Sequence, residues 1–350
     1  MTNSRAISDT APVAVLGAGS WGTALAILLA RKGLHVRLWP RRPSLARLMA
    51  AQRRNPEYLS EFTLPEQVEP REALGEALAG AHLVVLAAPT KGMRWLLRLM
   101  RPILTDRQAA LVAAKGLESR TGLRMSQVVA AELGSRWQRQ VSVLSGPNLA
   151  VEVARGTPTS AVIACADSHL ARQIQHVFMQ PSFRVYTNPD LAGVELGGAL
   201  KNVIAIGAGI SDGLGFGDNT KAAYLTRGLA EMTRLGAALG ANPATFGGLS
   251  GLGDLVATCA GPSSRNHYVG KELAGGRSLK SILSEMRQIA EGVPSARAAL
   301  RLAVRAGVDA PITEAICSVL FEGLDPRKAV ASLMTRAGKD ELHESWLVYG

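Results

Sequence analysis

The 350-residue sequence predicts an α/β protein, with a doubly wound parallel sheet in its amino-terminal half and a carboxyl-terminal all-helical domain. Three observations carry this expectation. Short apolar runs recur early, at Val13–Leu16, Val36–Trp39, Leu83–Ala87, Leu111–Ala114, Val141–Leu144 and Ser160–Ala164, each bounded by Gly, Pro or charge as buried strands are. Helical patterns such as Trp21–Arg31 and Met93–Met100 lie between them, the alternation of a parallel sheet covered on both faces. After Asn188-Pro189-Asp190 the strand signals stop and helical patterns follow, at Leu191–Ile210, Ala222–Leu239, Leu279–Met286, Ala296–Ala306 and Pro311–Glu322. The expected sheet domain therefore covers 11–190 and the helical domain 191–340, with a flexible tail at 1–10 and a second tail at 341–350.

With 47% hydrophobic and 19% charged residues, the chain can bury a sizeable core, and its length fits two domains. Cys165, Cys259 and Cys317 are far apart and form no CxxC pair, which argues against a disulfide framework or a zinc site and for a reducing, cytoplasmic setting. Met1 to Thr10 is polar and lacks a secretory apolar core, and the uncharged apolar stretches fall short of a membrane span, so membrane insertion is not expected. The net charge of +11, from 39 Lys and Arg against 28 Asp and Glu, favours anionic partners. No helix-turn-helix, zinc or aromatic-basic motif accompanies it, so nucleic acid is not an expected partner. A symmetric homodimer is the default oligomer.

Val13-Ala14-Val15-Leu16 leads into Gly17-Ala18-Gly19-Ser20-Trp21-Gly22 and then into an apolar helical run. This is strand, GxGxxG, helix: Gly17 permits the tight turn, Gly19 lets backbone amides reach a pyrophosphate, and Gly22 lets helix and strand approach. The helix amino terminus adds attraction for the anion, so the sheet domain is expected to be Rossmann-like and to bind a dinucleotide. The second strand ends in Pro40-Arg41-Arg42 rather than an acidic residue. Two arginines there favour a 2′-phosphate, hence NADPH over NADH, although a solvated basic loop would read the same way.

Ligands of open α/β sheets lie outside the carboxyl ends of the strands. Ala88-Pro89-Thr90, Lys115-Gly116 and Ser145-Gly146-Pro147-Asn148 follow three of the expected strands, bringing a cation, backbone donors and an amide. The segment Glu195–Gly207 reads as a strongly apolar helix carrying one lysine, Lys201, with small residues that would admit a close neighbour. Desolvation there would tune Lys201 toward proton transfer, or Lys201 would snorkel to the surface or pair with Glu195. Gly251-Leu252-Gly253-Asp254-Leu255 presents Asp254 at a turn or helix start, and Ser263-Ser264-Arg265-Asn266 gathers a hydroxyl, a guanidinium suited to phosphate and an amide.

Together, Gly17–Gly22, Lys115-Gly116-Leu117, Ser145–Asn148, Gly198-Ala199-Leu200-Lys201-Asn202-Val203, Gly251–Leu255, Ser264-Arg265-Asn266 and Glu291-Gly292-Val293 resemble, in order, the motifs of the bacterial NAD(P)-dependent glycerol-3-phosphate dehydrogenase family. The resemblance covers about residues 11 to 340. It implies hydride transfer between NAD(P)H and dihydroxyacetone phosphate, giving sn-glycerol 3-phosphate for phospholipid synthesis, with Lys201 as catalytic acid and base. It implies that Lys115, Gly146, Asn148, Lys201, Asp254, Ser264, Arg265 and Asn266 surround the phosphorylated substrate. Ser20, Trp21, Arg41, Arg42, Lys115, Ala150, Arg265, Ile289 and Glu291 would contact the dinucleotide, and no metal is called for. The sequence departs from the pattern at Asn148, where the family often has Ser or Thr, and at Pro40, which breaks the run before Arg41.

Overall fold

The computed structural model describes residues 7–8, 10–261, 264–286, 288–338 and 340–341. Ser263 and most of both expected tails lie outside them. Eight strands, β1 (Val13–Leu16), β2 (Val36–Trp39), β3 (Val68–Pro70), β4 (Leu83–Leu86), β5 (Ala109–Val112), β6 (Val141–Ser145), β7 (Thr159–Cys165) and β8 (Phe183–Asn188), form one sheet in the order β3-β2-β1-β4-β5-β6-β7-β8. Val13 and Val15 of β1 enter the core on one face while Ala14 and Leu16 enter the core on the other, so both faces are covered and the strand reads as a continuous apolar run.

The sheet is parallel except at one junction, where β7 runs antiparallel to β6. A single short helix, Ala150–Arg155, joins these two strands and returns the chain alongside the strand it has just left. The reversal places the start of β7 beside the end of β6, and Asn148 Nδ2 donates to the Ser160 carbonyl at 3.0 Å. Strand β5 begins two residues earlier than the apolar run suggested, because the paired stretch starts at Ala109 against Leu83. Strands β3 and β8 carried no continuous apolar signal: β3 has three residues and ends in Pro70, and β8 alternates buried and exposed positions at the sheet edge.

Because β8 runs antiparallel to β6, the chain leaves the sheet at the end away from the carboxyl ends of β1–β6. Helix Leu191–Gly213, capped by Asp190 accepting from Gly193 N, carries it back. All residues from Gly193 to Ser211 are buried, Glu195, Lys201 and Asn202 included. By length and mean hydropathy, 1.3, this helix could cross a bilayer, but 89% of that stretch is inside the protein. It is the axis of the helical domain, around which helices Asp218–Ala238, Arg265–Ala274, Gly292–Ala306 and Pro311–Phe321 pack.

The small residues of that axis do admit a close neighbour. A Cβ on Gly209 would lie 2.0 Å from the His267 carbonyl oxygen, and one on Gly270 would lie 1.9 Å from that of Ile206. The two helices thus touch backbone to backbone at two reciprocal points.

Candidate active site

The GxGxxG segment folds as its spacing required. Gly17 adopts φ +111° with its Cβ position against Ala87, and a Cβ on Gly22 would lie 1.8 Å from the Gly17 carbonyl oxygen. A Cβ on Gly19 would meet nothing within 4 Å, which leaves open space in front of the first turn of helix Ser20–Arg31. An anion can enter there and meet unbonded amides and the positive end of the helix dipole. Trp21 Nε1 is buried without a hydrogen-bond partner among the described residues. Beyond β2, Arg41 is exposed and Arg42 forms an ion pair with Glu57, both partners being partly exposed. The open cradle, an unpaired buried donor and a basic loop in place of an acidic residue fit a dinucleotide phosphate group.

The carboxyl ends of β5 and β6 meet the middle of helix Leu191–Gly213, where Gly198 lies against Ser145 and Lys115. There two lysines share one carboxylate. Lys115 Nζ lies 2.7 Å from Asp254 Oδ2 and donates to the Gly146 carbonyl at 2.6 Å. Lys201 Nζ lies 3.1 Å from Asp254 Oδ1 and donates to Thr258 Oγ1 at 2.6 Å. Asp254 is presented by the first turn of helix Asp254–Ala260, and Thr258 follows one turn later on the same face.

Neither alternative reading of Lys201 holds: it is 6% exposed, and Glu195 is taken instead by Arg124 and by the amide and hydroxyl of Ser126. Lys115, which alone would pass for a surface residue, is equally engaged. Burial pushes its ammonium down to about 8, opposed by the Asp254 carboxylate and reinforced by neighbouring Lys201. Two ammonium groups around one carboxylate leave the cluster with a net positive charge, a setting that attracts an anion.

A second chain of bonds extends the site. Asn202 Nδ2 donates to the Lys115 carbonyl at 3.2 Å, Asn266 Nδ2 donates to Asn202 Oδ1 at 2.8 Å, and Gly292 N donates to Asn266 Oδ1 at 2.9 Å. Ser264 caps helix Arg265–Ala274 by accepting from His267 N, and Arg265 Nη1 donates to the Ile289 carbonyl at 2.7 Å. Glu291 accepts from the Thr90 amide at 3.0 Å and hydroxyl at 2.6 Å; burial raises its carboxyl pKa, with Thr90 and then Arg265 opposing. Gln288 Nε2 donates to Ser20 Oγ at 3.0 Å, tying the glycine turn to the same segment.

Of the expected residues, Lys115, Gly146, Lys201 and Asp254 form one bonded cluster, while Ser264, Arg265, Asn266, Ile289 and Glu291 form its continuation. Ser20 joins the latter through Gln288. Asn148 lies beside Gly146, its Oδ1 buried without a partner among the described residues. Ala150 opens the next helix, and Arg41 and Arg42 stand apart after β2. The sequence places Thr90 after a strand at the expected crevice without naming its partner, and gives no individual role to Asn202, Thr258 or Gln288. An i, i+4 relation to Asp254 and adjacency to Lys201 would have pointed to Thr258 and Asn202, whereas Thr90 and Gln288 depend on contacts 201 and 268 residues away. Among the described residues, no group of three or more His, Cys, Asp or Glu side chains could hold a metal.

A glycine-turn sheet domain joined to a helical domain, with a lysine–carboxylate cluster at the carboxyl ends of the strands, defines the class of Rossmann-fold oxidoreductases with an all-helical second domain. The models of the NAD-dependent glycerol-3-phosphate dehydrogenase amino terminus and carboxyl terminus match residues 12–171 and 190–331, and the chain belongs to that family. It is 52% identical over 329 residues to glycerol-3-phosphate dehydrogenase [NAD(P)+] of Geobacter metallireducens, covering 94% of this chain and 98% of the relative. Identity to the Geobacillus kaustophilus enzyme of the same name is 50% over 333 residues, 95% and 96% of the two chains. The crystal structure of glycerol-3-phosphate dehydrogenase from Coxiella burnetii superposes with a TM-score of 0.89 at 38% identity, covering 94% of this chain and all of that one.

Proposed function

We propose that the protein interconverts dihydroxyacetone phosphate and sn-glycerol 3-phosphate with NADPH or NADH, and that Lys201 is its acid and base. The sharing of Asp254 by Lys201 and Lys115 carries this reading. A reduced nicotinamide dinucleotide held at the Gly17–Gly22 turn would supply the hydride that the ketone carbon takes up. Lys201, held as ammonium between Asp254 and Thr258, delivers a proton to the oxygen that becomes the alcohol, and as neutral amine takes it back in the reverse direction. Lys115, Arg265 and Asn266 are proposed to hold the substrate phosphate and oxygens, with Gly146, Asn148 and Ser264 completing the wall.

For the dinucleotide we propose Gly17, Gly19 and Gly22 at the pyrophosphate, with Ser20, Trp21, Ala150, Ile289 and Glu291 along its length. Arg41 and Arg42 would receive a 2′-phosphate, making NADPH the preferred form. We assign residues 11–190 to nucleotide binding and 191–340 to substrate binding and catalysis. A role in supplying phospholipid synthesis from a reducing compartment agrees with the product and with three buried free cysteines.

The test is oxidation of NADPH with dihydroxyacetone phosphate, run beside unphosphorylated dihydroxyacetone and beside NADH. Phosphate-dependent oxidation is expected. Binding of NADPH without turnover of the phosphorylated ketone would sink the substrate assignment while leaving the fold reading intact. Arg41→Ala with Arg42→Ala should raise the KM for NADPH about tenfold or more and leave that for NADH nearly unchanged; an equal effect on both would remove the arginines from specificity.

The lowered pKa of Lys115 sets a pH dependence. Its ammonium is present below about pH 8 and lost above it, so the attraction for a phosphorylated substrate weakens as pH rises. The KM for that substrate should climb above about pH 8, and Lys115→Arg, which stays charged, should flatten the climb. A KM that is level from pH 7 to about 9.5 in the wild type would remove Lys115 from phosphate binding.

A further inference from the structure

Helix Thr90–Met100 has a face that the proposed reaction leaves unused. Its inner side, Met93, Leu96, Leu97 and Met100, packs on the sheet. Trp95, Leu99 and, in the turn that continues the helix, Ile103 are 46%, 41% and 39% exposed. Four-residue spacing puts them in one outward stripe, and Trp95 stacks on Trp39 with ring centroids 6.3 Å apart.

The segment that carries the stripe is rich in exposed cations. Residues 91–107 contain Lys91, Arg94, Arg98, Arg101 and Arg107 against a single acidic residue, Asp106. Arg94 and Arg98 are engaged by Glu118 and Glu132, and Asp106 pairs with Arg136. Lys91, Arg101 and Arg107 are exposed and make no ion pair among the described residues.

We propose that this face docks on an anionic phospholipid bilayer, Trp95, Leu99 and Ile103 entering the headgroup boundary while Lys91, Arg101 and Arg107 lie among the lipid phosphates. A bilayer surface is anionic at its plane and apolar just beneath, which is the pairing of charge and apolar side chain that this face presents. Indole is among the side chains that settle at that boundary. A second copy of the chain meeting the same face about a two-fold axis would set these cations against one another, and a nucleic acid would leave Leu99 and Ile103 unburied. The +11 charge of the chain adds long-range attraction to the same surface. The contact is peripheral, since the inner side of the helix stays on the sheet.

The test is co-sedimentation of the full-length protein with phosphatidylglycerol–phosphatidylcholine vesicles and with pure phosphatidylcholine vesicles at physiological salt. Leu99→Ser and the double variant Arg101→Glu with Arg107→Glu are run in parallel, with turnover on free substrate as the check on folding. The wild type should partition onto the anionic vesicles at least about tenfold more than onto neutral ones, and the charge-reversed variant should lose about tenfold or more. Leu99→Ser should lose several-fold, and brominated lipid should quench tryptophan emission in the wild type but far less in Trp95→Leu. Absence of binding to anionic vesicles, or equal binding by the variants, overturns the proposal. A shift of sedimentation coefficient in Leu99→Ser without vesicles would assign the face to a second copy, and displacement from vesicles by duplex DNA would assign it to nucleic acid; either outcome also overturns it.

Discussion

Replacing Lys201 with alanine should lower kcat by about 10³-fold, within the range that a positioned acid or base contributes. The affinity for NADPH, read from nicotinamide fluorescence, should stay within about twofold, because the glycine turn is built from separate elements of the sheet domain. The variant should still fold: Asp254 keeps Lys115 and Thr258 as partners after the amine is gone. Lys201→Arg should not rescue turnover, since a guanidinium does not release its proton near neutral pH. A Lys201→Ala enzyme with near-normal kcat would take the proton-transfer role away from this residue.

Asp254→Asn should have the second largest effect, and on two readouts. Removing the carboxylate leaves the Lys201 and Lys115 amines without their counter-charge, and breaking a buried pair in this way costs about 3–5 kcal/mol of unfolding stability. Turnover should fall as well, because Lys201 would lose its counter-charge and keep Thr258 and a neutral amide oxygen as its partners among the described residues. Asp254 is also the group that holds the Lys115 pKa up against burial, so its loss drives that pKa further down. The pH above which phosphorylated substrate binds poorly should therefore move to lower values than in the wild type. A variant whose melting temperature and pH profile both match the wild type would show that the shared carboxylate is incidental.

What could be read from the sequence follows from how local each constraint is. Gly17, Gly19 and Gly22 announce themselves because a strand, a turn and a helix meet within six residues; Gly17 and Gly22 have no room for a side chain, and Gly19 keeps the space before the helix open. Helix Leu191–Gly213 was legible because a buried axis must be apolar all round, and Lys201 stood out against that background. Its environment was not legible from the helix alone. Whether it would turn to Glu195, to solvent or to Asp254 depended on Arg124 and Ser126 claiming Glu195 from outside that helix. The resemblance to known motifs named Asp254, but not Thr258, which closes the same group one turn on.

The remaining differences have the same origin. Nothing in Thr159–Cys165 distinguishes a parallel from an antiparallel neighbour, since a strand buried on both faces reads alike in either direction. The reversal nevertheless determines what Asn148 can bond, because it brings the Ser160 carbonyl to the carboxyl end of β6. Arg42 was expected as a cation for phosphate, and the structure adds Glu57 as a competitor for it. Weakening that pair and binding a 2′-phosphate would be linked events.

The reciprocal glycine contacts between helices Leu191–Gly213 and Arg265–Ala274 have a consequence for how this sequence can drift. Lys201 and Asn202 sit on one helix, Arg265 and Asn266 on the other, and the spacing between the two pairs is set where Gly209 meets His267 and Gly270 meets Ile206. A single added methyl at either glycine would wedge the helices apart and misalign the two pairs without altering any of the four side chains. Mutational scanning should accordingly find positions 209 and 270 as intolerant as Lys201, so that the proposed chemistry is tied to two glycines outside the bonded cluster.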